Sequence, residues 1–191
     1  MEAANHIFLP EVHWIEKEDL QKKIKKLKRV VVYHSLKGCP DCARLDLRVL
    51  MPYFGKRKPS EPLFRIETYP WRQYKNNPDP KLAQKWLDYI DCFQLSFVYH
   101  QAQNVKHEDE QFSSARIPTL QVWEDGKLID MLVYYNDRFS LTDWPKTIIG
   151  SFYQDGPIGQ RYSAAYEYAD DVNIHRFHRS KVVDFLDKYL R

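Results

Sequence analysis

Cysteine is scarce in this chain, with three in 191 residues. A secreted domain stapled by disulfides uses more of them, in even number, so no such framework is present. No stretch reaches the 18 or so apolar residues of a membrane span. The segment from Met1 to Pro10 lacks a basic region followed by an apolar one, so it does not read as a secretory signal. There is no internal repeat, no low-complexity tract and no nucleotide or flavin motif. Charge of one sign is not in excess: the net charge is +3. Nucleic-acid binding would need a concentrated basic stripe, and none is seen. The one basic run, Lys22 to Arg29, accompanies an apolar seam at Leu20, Ile24 and Leu27. It reads as the solvated face of an amphipathic helix. These absences point to a cytoplasmic protein with no membrane or nucleic-acid partner.

What is present is a globular composition, 43% hydrophobic and 29% charged, with 15% aromatic residues. That describes one folded domain over residues 1–191, and disorder is excluded over most of its length. Helix is expected over Glu18–Lys28. The run Val30-Val31-Val32-Tyr33 within Arg29–His34 predicts a strand buried on both faces. After a turn at Ser35–Gly38, Pro40 suits a first helical position. The seam of Leu45, Val49 and Leu50 carries that helix to Pro52. Leu63–Tyr69 alternates as a second strand, and Lys81 to about Val98 forms a helix. Thr119–Trp123 and Leu128–Tyr135 form a hairpin about the turn Asp125-Gly126. The last helix spans His175–Arg191. Strands alternating with helices, then a hairpin, give an α/β sheet with a parallel part and an antiparallel edge.

The chemistry lies in Cys39-Pro40-Asp41-Cys42, directly after a strand and at a helix start. Unpaired N–H groups and the helix dipole there stabilise a thiolate on the first cysteine. The second, one turn on, can close a disulfide with it. Cys39 is therefore the expected nucleophile, and Cys42 the resolving thiol. A zinc half-site is the alternative, with His34 as a possible third ligand. Structural zinc uses a second pair of ligands, and Cys92 has no near partner, so no metal is expected. Cys92 reads as a partly buried free thiol. His13, His107, His175 and His178 complete no ligand spacing. A second signal is Arg116-Ile117-Pro118-Thr119 at the start of the hairpin, where proline is tolerated only if its missing donor matters little.

These two halves together resemble the thioredoxin family. Val31-Val32-Tyr33, a turn, the Cys-Pro-Asp-Cys and a helix match its active-site half. Ile117-Pro118-Thr119-Leu120, Val122, Asp125-Gly126 and Leu128 match its cis-proline strand and hairpin. The intervening Pro-Asp is similar to that of cytosolic thioredoxin-related proteins, though Gly38 stands where they carry Trp. A glutaredoxin-like reading, from Tyr33-His34-Ser35 and Gly38-Cys39-Pro40, ranks below it because Arg116-Ile117-Pro118 replaces Thr-Val-Pro. The resemblance covers about Glu18 to Tyr135. It implies a thioredoxin fold, a central mixed sheet flanked by helices, with a helical insertion at about 70–113 and a C-terminal extension at about 137–191. It further implies that Pro118 packs in cis beside the dithiol. The Ile117 backbone would then pair with an extended substrate, as in strand addition.

One departure stands out. The family buries an acidic residue six before the nucleophile, where it assists proton transfer at the second cysteine. Tyr33 occupies that position here, leaving water or His34 to serve. Asp41 should raise a thiolate pKa, while Lys37 and the helix dipole lower it. Arg116 and Lys37 form a basic lip that would favour acidic or glutathione-like substrates, unless both are solvated surface charges. The expected function is thiol–disulfide exchange on protein or small-molecule disulfides, without a bound cofactor. Electrons would come from a reductase or from glutathione. The competing reading is a thioredoxin-fold adaptor with an incidental or regulatory dithiol, its insertion and extension holding a partner.

Overall fold

A computed structural model describes residues 9–95, 117–133 and 171–191. They fall into two compact units, one of residues 9–68, 117–133 and 176–191, the other of 69–95 and 171–175.

The first unit is built on a five-stranded sheet. Its strands are β1 (Val12–Trp14), β2 (Arg29–Ser35), β3 (Leu63–Glu67), β4 (Thr119–Glu124) and β5 (Lys127–Val133), in the order β1-β3-β2-β4-β5. The pairs β1–β3 and β2–β3 are parallel, while β2–β4 and β4–β5 are antiparallel. This is the mixed α/β sheet expected from the alternation of elements. Central β2 is buried on both faces, as its β-branched run requires. Asp125 and Gly126 both take positive φ, which makes the hairpin a type I′ turn.

Helix α1 (Lys17–Lys26) buries Leu20 and Ile24, one turn apart, and leaves Lys22, Lys25 and Lys26 to solvent. Burying each such side chain contributes about 1.5–3 kcal/mol. Helix α2 (Pro40–Leu45) continues through a π-helical stretch at Asp46–Leu50 into α3 (Met51–Phe54). The sequence expectation ended this helix at Pro52, and the chain instead runs past it. Proline has no N–H to offer the fourth carbonyl back and crowds it. The wider π turn accommodates that loss, with Met51 N–H bonding to the Asp46 carbonyl. The last helix spans Asp171–Tyr189 and buries Val182, Phe185, Leu186 and Tyr189. Leu190 closes it against the loop before β3 by accepting from the N–H groups of Ser60 and Glu61.

Two further differences are local. Strand β1 precedes the first expected element, and its three residues are too few to show a period. Strand β3 stops at Glu67, two residues short of the expected Tyr69. In the second unit, α4 spans Tyr69–Arg72 and α5 spans Pro80–Cys92. The Asp79 side chain caps α5 by accepting from Lys81 N–H. Trp71, Trp86 and Tyr89 stack beside Phe93 in this unit. The part of the α5 expectation beyond Leu95 lies outside the described residues. No helix among the described residues is long and apolar enough to cross a membrane.

Candidate active site

The end of β2 and the start of α2 bring the dithiol together. Leu36 to Gly38 turn the chain, with Gly38 at φ +76, a left-handed conformation that glycine adopts without strain. Cys39 then occupies the N-cap of α2 with extended dihedrals, and Pro40 is the first helical residue. Cys39 is half-buried, Cys42 is buried, and both are free thiols. One sulfur thus meets solvent, and the other is sealed one turn behind it.

Their electrostatics differ accordingly. The Cys42 thiol donates to Cys39, and the backbone N–H groups of Cys42 and Asp41 add to it. Against partial burial and the Asp41 charge, these hold Cys39 down at about 7. Cys42 moves the other way. Burial raises it well above an ordinary thiol, and the hydrogen bond and charge of Cys39 add to the rise. The Leu36 N–H, 3.4 Å from its sulfur, pulls in the opposite sense. Near neutral pH Cys42 therefore keeps its proton, while Cys39 is divided between thiol and thiolate.

Ile117 and Pro118 lie opposite. The Ile117 carbonyl accepts from the Cys39 thiol at 3.8 Å, and the Ile117–Pro118 peptide bond is cis. Pro118 is buried, and Ile117 is half-buried. Lys37 is exposed, and its backbone N–H is held by the Glu67 carboxylate at 3.0 Å. Asp41 sits in the first turn of α2 with Arg44 at 3.8 Å. Arg116, the other half of the expected basic lip, lies outside the described residues.

His34, a candidate proton shuttle beside water and otherwise a bystander, lies on the other face of β2. Successive β2 side chains alternate faces, so Tyr33 faces α2 and His34 faces away from it. The His34 ring is fully buried and pairs with Gln121 Oε1 at 3.0 Å. Burial, opposed by that hydrogen bond, lowers it to about 4, so it is neutral at physiological pH.

Sequence reasoning missed the polar groups beneath the dithiol. The Arg65 guanidinium is buried and pairs with the buried Asp46 carboxylate at 2.9 Å. It also donates to Ser35 Oγ at 3.0 Å. The available signal was Asp46 four residues after Cys42, hence on the same helix face. Among the described residues, no cluster of three or more His, Cys, Asp or Glu could hold a metal ion.

No family model matches the chain, and no curated protein matches it. Among solved structures it is similar to a thioredoxin variant from Halobacterium salinarum NRC-1, at 10% identity and a TM-score of 0.40, over 97% of this chain and 96% of that one. It is similar also to the Malassezia sympodialis thioredoxin Mala s 13, at 13% identity and a TM-score of 0.35, over 68% of this chain and 86% of that one. The sheet order and the position of the dithiol between β2 and α2 agree with the central mixed sheet that the sequence resemblance implies.

Proposed function

We propose that this chain is a dithiol thiol–disulfide oxidoreductase. The observation that carries the reading is the division of labour between the two sulfurs. Cys39 is reachable and held near 7, while Cys42 is sealed and keeps its proton. An attacking thiol works best with a pKa near the ambient pH, because it is then both ionised and nucleophilic. The Cys39 thiolate attacks a substrate disulfide and releases one substrate thiol, leaving a mixed disulfide. Cys42 then attacks Cys39 Sγ, which frees the second substrate thiol and leaves Cys39–Cys42 oxidised. An external thiol, a reductase or glutathione, returns the two electrons. The main chain at Ile117, beside Cys39, suits an extended substrate segment that pairs along it, with Pro118 shaping the wall.

The test is disulfide reduction by the purified chain, driven by dithiothreitol, beside Cys39→Ser and Cys42→Ser. Turnover should vanish in Cys39→Ser. Cys42→Ser should instead accumulate the mixed disulfide on Cys39. A wild-type rate no higher than that of Cys39→Ser, with both thiols reduced, would sink the proposal.

A further inference from the structure

Tyr33 has no exposed surface, and among the described residues its hydroxyl makes no hydrogen bond of ordinary geometry. A sealed hydroxyl without a partner is costly, and phenylalanine would fill the same space without that cost. The oxygen therefore asks for a reason beyond packing.

Its surroundings supply one. Trp14, Arg65 and Tyr33 are cross-strand partners on β1, β3 and β2. The Arg65 guanidinium lies 4.7 Å from the Trp14 ring and 4.7 Å from the Tyr33 ring, so it is held between them. Asp46 balances its charge from the helix side. Among the described residues the other titratable group acting on Tyr33 is Cys42, one turn before Asp46 on the same face of the helix. Burial, then the Cys42 and Asp46 charges, push the Tyr33 phenol up, and Arg65 opposes them. Tyr33 stays protonated and is a donor throughout the working pH range. In return its hydroxyl lowers Cys42, alongside the Leu36 N–H.

We propose that the Tyr33 hydroxyl is the hydrogen-bond donor kept for the Cys42 thiolate during the resolving step. The inference rests on the dithiol reading. In the mixed disulfide, Cys39 Sγ is bonded to a substrate sulfur. Cys42 gives its proton to solvent, and its thiolate is held by the Tyr33 O–H and the Leu36 N–H. It attacks Cys39 Sγ. The Cys39–Cys42 bond forms, and the bond to the substrate sulfur breaks. That sulfur leaves with the electron pair and takes a proton from solvent. The dithiol has lost two electrons and the substrate disulfide has gained two. A neutral thiol is only a weak acceptor, so the hydroxyl gains its full partner when Cys42 ionises.

Tyr33→Phe in the full chain removes that one oxygen. In a Cys39→Ser background, the pH dependence of alkylation at Cys42, followed by peptide mass so that Cys92 is counted apart, reads its midpoint. The expected result is a Cys42 midpoint raised by about one unit or more and resolution of the mixed disulfide slowed about ten- to a hundredfold. An unchanged midpoint and an unchanged resolution rate, beside a wild type that turns over, would overturn this inference and leave the dithiol reading standing. A wild type that fails to turn over takes both down. A second measurement needs no loss of the oxygen. With 3-fluorotyrosine at position 33 of the Cys39→Ser chain, the fluorine resonance should shift as Cys42 titrates. A resonance indifferent to that titration overturns the proposal.

Discussion

The two faces of the central sheet bury polar groups in opposite ways. On the α2 face, Tyr33, Ser35 and Arg65 meet Asp46, and a full ion pair is sealed at 1% exposure for each partner. On the other face, His34, Gln121 and Trp123 form a neutral cluster. Gln121 Oε1 lies within hydrogen-bond distance of the His34 ring at 3.0 Å and accepts from Trp123 Nε1 at 3.2 Å, while its amide reaches Met131 Sδ at 3.4 Å. One strand, β2, feeds both, because its side chains alternate. Charge is kept on the side that carries the dithiol, where a thiolate has to form. On the far side, burial strips the one titratable ring of its charge. The same amount of burial thus yields an ion pair where a partner of opposite sign is within reach, and a neutral group where none is.

Breaking the ion pair should give the largest effect on stability. Arg65→Met leaves Asp46 as a buried charge without its counter-ion, which costs about 3–5 kcal/mol. Adding Asp46→Leu should recover most of that loss, since a pair replaced by apolar groups of similar volume is often close to neutral. Urea unfolding midpoints of the two variants check this. A single variant within about 1 kcal/mol of wild type would mean that the interior there is wetter than the buried side chains imply.

The neutral face should show itself in pH dependence. The folded value of His34, about 4, lies below its ordinary 6.5. As pH falls from 6.5, the unfolded chain takes up the proton first. Stability that is fully present above pH 6.5 is therefore lost as pH falls toward 4. Each pH unit in that window costs about 1.4 kcal/mol, or roughly 3 kcal/mol across it. His34→Gln should remove this part of the slope when urea midpoints are compared between pH 7 and 4. Equal slopes in the two proteins would assign the acid sensitivity to other groups.

The contrast between the faces was only half legible in the sequence. The alternation at β2, the Asp125-Gly126 turn, and Cys39 at a helix start all follow from local rules, so the sheet and the dithiol could be read directly. Nothing local marks Arg65 as buried. It sits in an alternating strand where an exposed arginine is the ordinary expectation, and only the pairing of β3 with β1 and β2 stacks it between Trp14 and Tyr33. Pro52 misled for a similar reason. Its local meaning is a helix end, and the π turn that absorbs it leaves no mark in the sequence. His34 is close to Cys39 along the chain, which admits both a shuttle and a bystander, and only strand alternation decides which face it takes.

The smallest effect belongs to a carboxylate on the dithiol side that is not sealed. Asp41 lies between the cysteines, half-buried, with Arg44 3.8 Å away. Its charge raises Cys39, but it is the least of the causes acting there, whereas its backbone N–H lowers the same thiol. Asp41→Asn removes the charge and keeps the N–H. The midpoint for Cys39 alkylation should therefore move below its value of about 7, while stability changes far less than in Arg65→Met. Measuring alkylation rate against pH in a Cys42-intact chain decides it. A midpoint that rises would show that Asp41 supports the thiolate through its side chain, and would put charge and thiolate in the same relation at the surface as in the interior. A midpoint that falls separates the two carboxylates. Asp46 then acts by holding Arg65 in place, whereas the Asp41 side chain acts on Cys39 through its charge, against the pull of its own backbone N–H.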